Sequence, residues 1–338
     1  MTKIAAQVVG DSSNEHGDRL TTMVATLPRI ILAEFNTHRA FSRNSASSRA
    51  IPFEKMVRSV EENPFVPIAW QKDHKGMQGT EYWEGKGAEF ICRTHWLRVR
   101  DNAVTEAKIL NGQGLTKQLC NRLLEPFMWH TVIVSATDWE NFFALRCPRY
   151  SLFHENVPLE FRSKRDLLAH VHRVEAPEFR EQYDHLTPLE WLRCNKGHAE
   201  IHMMALAEAM WDAYNESKPK RLKAGEWHIP FEWELLDQGR EEEFLSLPYS
   251  EADGDAMVFY QMCKVKLATV MAARTSYTVV GDDLKPLSYP KMLELHDRMA
   301  TADPLHASPF EHCARANEGR PSRNFRGFTQ YRELLETR

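Results

Sequence analysis

The chain has 338 residues, of which 43% are hydrophobic and 27% charged, and its formal net charge is −4. That is enough apolar material for one large domain or two modest ones, and the charge argues against a basic protein built to coat a nucleic-acid polymer. Residues 1–18 lack an apolar run of signal-peptide length, and no stretch approaches the ~20 apolar residues of a bilayer span, so a cytoplasmic location without membrane contact is expected.

Residues 20–27 (LTTMVATL) read as a strand and residues 29–36 (RIILAEFN) as a short helix leading into a polar strip. Residues 56–61 suggest a helical turn, and residues 64–87 a long loop of Pro, Gly, Lys, Gln and aromatics. Residues 88–110 predict an amphipathic helix with Phe90, Ile91, Trp96, Leu97, Val104 and Ile109 near helical spacing, closed by Gly112 and Gly114. A second short helix follows at 115–124, stopped by Pro126, then a strand at 131–136 and a helix at 139–145. Residues 150–196, rich in charge, His and Pro, read as an inserted helical subdomain or lid. Residues 198–214 predict a helix, 217–255 are polar and irregular, and 265–274 and 290–301 are helical candidates. The division expected is 1–149 and 197–338 as two parts of one catalytic domain, with 150–196 inserted.

Four segments could carry chemistry. Between His38 and Arg49 there is no acidic residue, but three arginines and four serines. Hydroxyls, backbone N–H groups and guanidinium forks suit a phosphate oxygen, and Arg can bind phosphate bidentately. A solvated Ser-rich loop accounts for the same residues. In His306-Ala-Ser308-Pro309-Phe310-Glu311-His312, Ser308 is a candidate N-cap with Pro309 at the first helical position and Glu311 at the capping-box position. Such an N-terminus attracts anions, although structural capping needs no ligand. Ala272-Ala273-Arg274-Thr275-Ser276 is a helix end running into polar residues. Arg122 and Arg146 close otherwise apolar segments, where a lone Arg is ordinarily a surface residue with a buried stem.

His198 and His202 have i, i+4 spacing on one predicted helix face, but no third ligand accompanies them, and no metal is expected. The six cysteines lack a Cys-x-x-Cys pair and are expected reduced. No Gly-x-Gly-x-x-Gly or Walker loop is present.

Together the four segments resemble the flavin-dependent thymidylate synthases. That family's signature is Arg-His-Arg followed at fixed offsets by Ser, Asn, Ser and Arg. Here Thr37-His38-Arg39 is followed by Ser42, Asn44, Ser47 and Arg49. The family's Ala-Ala-Arg-x-Ser and His-x-Ser/Thr-Pro-Phe-Glu-His segments correspond to residues 272–276 and 306–312. Arg122 with Pro126, Asn141 with Arg146, and Glu200-Ile201 correspond to later stretches. The order is rotated, because the last two family segments come first in the family, so the chain looks circularly permuted. It departs from the pattern at Thr37, Ser45, Ala50 and Glu34, which fall where nucleotide and flavin are contacted.

The resemblance implies an α+β fold, an antiparallel or mixed sheet flanked by helices, with permuted segments and a helical insertion. It implies FAD held by His38, Arg39, Asn44, Asn141, Ser276, His306, Ser308 and Glu311, across subunits of a homotetramer. It implies a pyrimidine deoxynucleotide, dUMP or dCMP, on Ser47, Arg49, Arg122 and Arg146, with Gln330 as a replacement for a family Gln. His38, Arg39 and Arg146 would act in catalysis. NADPH would reduce the flavin and methylenetetrahydrofolate would supply the carbon, so the expected reaction is dUMP to dTMP, in the host cytoplasm for a viral variant. A hydroxymethylase on the same scaffold and a non-catalytic nucleotide-binding protein are the alternatives. No cysteine nucleophile is implied; Cys313, next to His312, is the thiol to check first.

Overall fold

The structure is a computed structural model that describes residues 3–75, 79, 81–154, 157–174, 183, 185–236, 239–280 and 286–337. Strand β1 (Ala5–Ser13) turns back into β2 (Arg19–Pro28). The turn is built by Asn14, whose Oδ1 accepts from the backbone N–H groups of His16 and Asp18 at 3.0 and 2.9 Å. Gly17 supplies the positive φ of +86° that an L side chain resists. Strands β3 (Ser42–Ser45) and β4 (Trp129–Ala136) complete the antiparallel part of a sheet. With the two-residue β7 (Lys220–Arg221) parallel to β1, the order is β3-β4-β2-β1-β7. β1 escapes the sequence reading because small and polar residues fill it (AAQVVGDSS). Its place is fixed by pairing with β2, not by an apolar period.

Both faces of the sheet are covered. Met23, Ala25, Leu27, Val132 and Val134 pack on one face against Met203, Leu206, Ala207 and Met210 of the helix Ile201–Glu216. Phe35, Phe41, Phe142 and Phe143 extend that core. On the other face Val24 and Ile133 meet Phe231 and Ala272, the latter from the helix Ala256–Arg274. Double coverage explains why β2 and β4 read as apolar runs without strict alternation. Each Val, Leu, Ile, Met or Phe among them contributes ~1.5–3 kcal/mol on burial.

A polar seam crosses the second face. Ser12 Oγ lies 2.9 Å from His228 Nδ1, and His228 Nε2 lies 2.8 Å from Thr22 Oγ1. Thr22 and Ser135 hydroxyls are 2.7 Å apart, and Ser135 Oγ is 2.8 Å from His312 Nδ1. All five residues are buried. A second sheet, β10-β9-β8, is made by β8 (Trp227–His228), β9 (Ala314–Ser322) and β10 (Phe325–Gln330). Gly327 lets β10 approach the first hairpin, because a Cβ there would lie 2.2 Å from Asn14 Nδ2.

The expected strand 20–27 and the helical stretches at 29–36, 139–145, 265–274 and 290–301 all appear, with shifted ends. Other expectations are corrected. The helix at 88–110 is Lys86–Gly112, but only Val104 and Ala107 are buried, while Phe90 and Ile91 are 70% and 58% exposed. Its inward stripe is Trp96, Ala103, Val104, Ala107 and Leu110, and 100° per residue turns Phe90 and Ile91 off that stripe. The predicted short helix is Lys117–Cys120 followed by the 3-10 stretch Asn121–Phe127, which contains Pro126 and is not stopped by it.

The 150–196 region is not wholly helical. It opens with an antiparallel hairpin, β5 (Tyr150–His154) and β6 (Val157–Phe161), before the helices Lys164–Val174 and Pro188–Cys194. Residues 155–156, 175–182 and 184 of that region lie outside the described residues. Among the described residues no helix is long and apolar enough to cross a membrane.

Candidate anion and cofactor site

The polar strip from His38 to Arg49 becomes the edge strand β3 and the turn after it. β3 lies at the edge of the sheet, its backbone paired with β4 on one side, and its polar side chains are met by other segments of the chain. Two distant segments are brought onto this strip. Asn44 Nδ2 donates to the carbonyl of Ala272 at 2.6 Å, and Asn44 Oδ1 accepts from Ser276 Oγ and Ser308 Oγ, each at 3.3 Å. The backbone N–H of Ser47 donates to the carbonyl of Ser276 at 3.0 Å. Asn44 thus ties together residues more than 220 positions apart in sequence, 228, 232 and 264.

Beside this junction is a pocket of about 370 Å³. Ser47, Arg49 and Arg122 line it together with Asn44 and Ser276. Arg49 and Arg122 are exposed, and among the described residues neither guanidinium has an ion-pair or hydrogen-bond partner. Arg43 borders the same pocket, but its Nη1 donates to the carbonyls of Asn36 and His38 at 3.2 and 2.9 Å. That arginine holds the turn before β3 in place. Free guanidiniums beside free hydroxyls are a donor set for an oxyanion.

His38 and Arg146 form a second group. Arg146 Nε donates to His38 Nε2 at 3.1 Å, and Arg146 Nη1 is ion-paired with Glu34. The His38 ring lies edge-on to Phe142 with centroids 4.9 Å apart and stacks on Phe41 at 5.7 Å. Burial, then the Arg146 and Arg43 charges, pull its pKa down to about 4. His38 is therefore neutral at pH 7, Nε2 is its acceptor, and Nδ1 carries the proton. Burial pushes the Glu34 carboxyl up against the opposing effect of Arg146. Arg146 has spent two of its five donors on this arrangement and keeps the others.

The remaining candidates are distributed differently. Arg39, Asn141 and His306 are exposed and do not line the pocket. Glu311 accepts from Arg332 Nη1 at 2.6 Å. Gln330 is fully buried under β3, where its Nε2 donates to Asn324 Oδ1 at 2.6 Å and to Ser42 Oγ at 3.3 Å. It supports the strip from below and does not reach the pocket. Ser308 does not cap a helix. Ser308–Glu311 is a four-residue 3-10 turn whose N-cap position is Ala307, without a side-chain cap. Only two residues separate it from β9 at Ala314, so a longer helix has no room, and the hydroxyl goes to Asn44.

The expected His198–His202 pair on one helix face is also corrected. The helix starts at Ile201 with Glu200 as N-cap, leaving His198 outside it. His202 Nδ1 pairs with Glu200 at 2.5 Å and Nε2 accepts from the Ile68 N–H at 3.1 Å. Cys313 is fully buried, and burial pushes its thiol up to about 12. A thiol held protonated in this way is not a nucleophile.

Sequence reading missed Arg29 and Glu125, which also line the pocket. Arg29 Nη2 donates to Glu125 Oε1 at 3.3 Å. Neither belongs to a motif. Only the antiparallel register that sets Pro28 opposite Trp129 carries them together. A larger cavity, about 770 Å³, lies along the outer edge of β1. Two of its carboxylates are already paired, Asp11 with Arg19 and Glu232 with Lys220 and Lys264. None of the candidate residues lines it.

No protein-family model matches the chain, and no curated protein matches it. Solved structures of the UMP/dUMP methylase PolB from Streptomyces cacaoi, bound with 5-Br dUMP and with 5-Br UMP, are similar over 64% of this chain. The similarity covers 91% and 90% of those chains, at 12% and 14% identity and TM-scores of 0.41 and 0.42. A likeness this loose transfers neither a residue role nor a reaction.

Proposed function

We propose that this chain is a flavin-dependent enzyme that transfers a one-carbon unit from methylenetetrahydrofolate to C5 of a pyrimidine deoxynucleoside monophosphate, dUMP in the first place, with NADPH as reductant. The observation that carries the reading is the junction at Asn44. It joins the Ser/Arg strip to Ser276 and Ser308, next to an anion pocket with two uncommitted arginines. In this reading Ser47, Arg49 and Arg122 hold the nucleotide phosphate.

Asn44, Ser276 and Ser308 are neutral groups gathered at one point, with Arg39 and His306 exposed. The two hydroxyl donors are spent on Asn44 and an Asn44 N–H on Ala272. The hydroxyl oxygens would therefore meet an FAD group as acceptors, while Arg39 and His306 supply donors that are free among the described residues. A pocket of about 370 Å³ is at the small end of the ~300–1,000 Å³ usual for ligand sites. A dinucleotide would need surface from a second copy as well, which agrees with a homotetramer. FAD would supply the hydride chemistry. The protein's own part is to fix the phosphate, keep His38 neutral as a hydrogen-bonding group, and hold Arg146 through Glu34 and His38, outside the phosphate pocket, with donors left for a pyrimidine oxygen.

A second reading, hydroxymethyl transfer to dUMP or dCMP, draws on Glu34. The carboxylate holds Arg146, so the donor offered to the base differs from that of a free arginine. One experiment separates these readings. The purified protein is examined for flavin absorbance and incubated with dUMP or dCMP, NADPH and methylenetetrahydrofolate, and the product is weighed by mass spectrometry. A gain of a methyl group supports the first reading and a hydroxymethyl group the second. A colourless protein that takes up no FAD and modifies neither nucleotide contradicts both.

A further inference from the structure

One carboxylate intrudes on the anion pocket. Glu125 Oε1 accepts from Ser48 Oγ at 2.6 Å and from Arg29 Nη2 at 3.3 Å. A hydroxyl and a guanidinium N–H are the donors a phosphate oxygen takes. A carboxylate oxygen therefore already sits where one phosphate oxygen would. The arrangement is braced from behind, because Arg29 Nη1 lies 3.3 Å from Nε2 of His130, a buried imidazole. It is still open in front, with the side chains of Arg29 and Glu125 24% and 25% exposed.

We propose that Glu125 determines what this pocket accepts, competing with the incoming anion for Ser48 and Arg29 and so selecting one phosphate group over two or three. The proposal rests on the phosphate-binding reading above. The donors left uncommitted support it. Arg29, Arg43, Arg49 and Arg122 line the pocket with one carboxylate, Glu125. Of the four guanidiniums, Arg29 is engaged by Glu125 and Arg43 by the carbonyls of Asn36 and His38, which leaves Arg49 and Arg122 uncommitted among the described residues. A phosphate monoester carries about −1.5 to −2 at neutral pH, a charge that the two uncommitted guanidiniums match. A second phosphate would bring further negative charge beside Glu125, where the nearest donors are already taken. Partial burial makes the repulsion stronger than it would be in water.

Inorganic phosphate and pyrophosphate are titrated calorimetrically into the wild-type protein, Glu125→Gln and Arg29→Gln, followed by dUMP and dUTP. The wild type is expected to favour phosphate over pyrophosphate by about tenfold, and Glu125→Gln to tighten pyrophosphate by about tenfold while phosphate changes much less. Arg29→Gln is expected to weaken both anions. A purely structural Glu125 predicts the opposite, with both anions bound more weakly by Glu125→Gln because Ser48 and Arg29 lose their anchor. That result, or a phosphate-to-pyrophosphate ratio unchanged in Glu125→Gln, overturns the proposal. If Glu125→Gln does not fold, Glu125→Asp, which withdraws the carboxylate by one methylene, must show a smaller shift in the same direction. Selective phosphate binding without any binding of pyrimidine nucleotide leaves the role of Glu125 standing and removes the proposed substrate.

Discussion

Two polar clusters lie on the same five-stranded sheet and are finished in opposite ways. The seam Ser12–His228–Thr22–Ser135–His312 is buried, and every member has a hydrogen-bond partner within it. The pocket at the β3 edge leaves Arg49 and Arg122 exposed and uncommitted. Buried polar groups must find partners or cost several kcal/mol, and the seam's side chains are spent on holding strands together, with His312 Nε2 the one seam atom left without a partner among the described residues. Groups left with spare donors at a concave edge are the ones free to bind. The contrast divides the 306–312 motif itself, since His312 serves the seam while Ser308 faces the candidate site.

The comparison is sharpened first by acid. Burial pulls His228 down to about 4 and His312 to about 3, both below the ordinary value near 6.5. Between pH 6.5 and these values the unfolded chain binds more protons than the folded one, so stability falls as pH falls through that window. At pH 4.5 the loss is on the order of 2–3 kcal/mol for each histidine. Urea unfolding at pH 7 and pH 4.5 measures it. A protein equally stable at both would contradict the buried, neutral seam.

The next effect is mutational. His312→Ala should cost about 3 kcal/mol at pH 7, by leaving Ser135 short of a partner and opening a cavity. The same variant should lose less on acidification than the wild type does. The pocket should behave in reverse. Arg122→Ala should change stability by less than ~0.5 kcal/mol but weaken phosphate binding by ~1.5–3 kcal/mol, roughly 10- to 100-fold. An Arg122→Ala protein that binds phosphate normally would place Arg122 among ordinary surface residues. The smallest effect belongs to Ser308→Ala, about 1 kcal/mol in the affinity for FAD, read by equilibrium dialysis.

How much of this was legible in the sequence depends on the range of the interaction. β2 and β4 were legible because apolar residues fill them, and the helix at 201–216 because its pattern is local. The grouping of Ser47, Arg49 and Arg122 with Asn44 and Ser276 was reached only through the family resemblance, since nothing in residues 36–51 alone says what they face. β1 and the β9–β10 hairpin were missed, because their residues are stabilised by neighbours far away in sequence. The capping box at Ser308 misled for a related reason. Ser-Pro-x-Glu is a local signal, but β9 begins too soon after it for a helix to grow. Arg29 and Glu125 carry no local signal, and pairing of β2 with β4 creates their contact.

The most direct test of the site is a calorimetric titration of dUMP and dCMP into the wild-type protein and into a double variant, Arg49→Ala with Arg122→Ala, checked by thermal melting. The account predicts an unchanged melting midpoint together with loss of nucleotide binding by about 100-fold or more. Wild-type affinity in a well-folded double variant would contradict it.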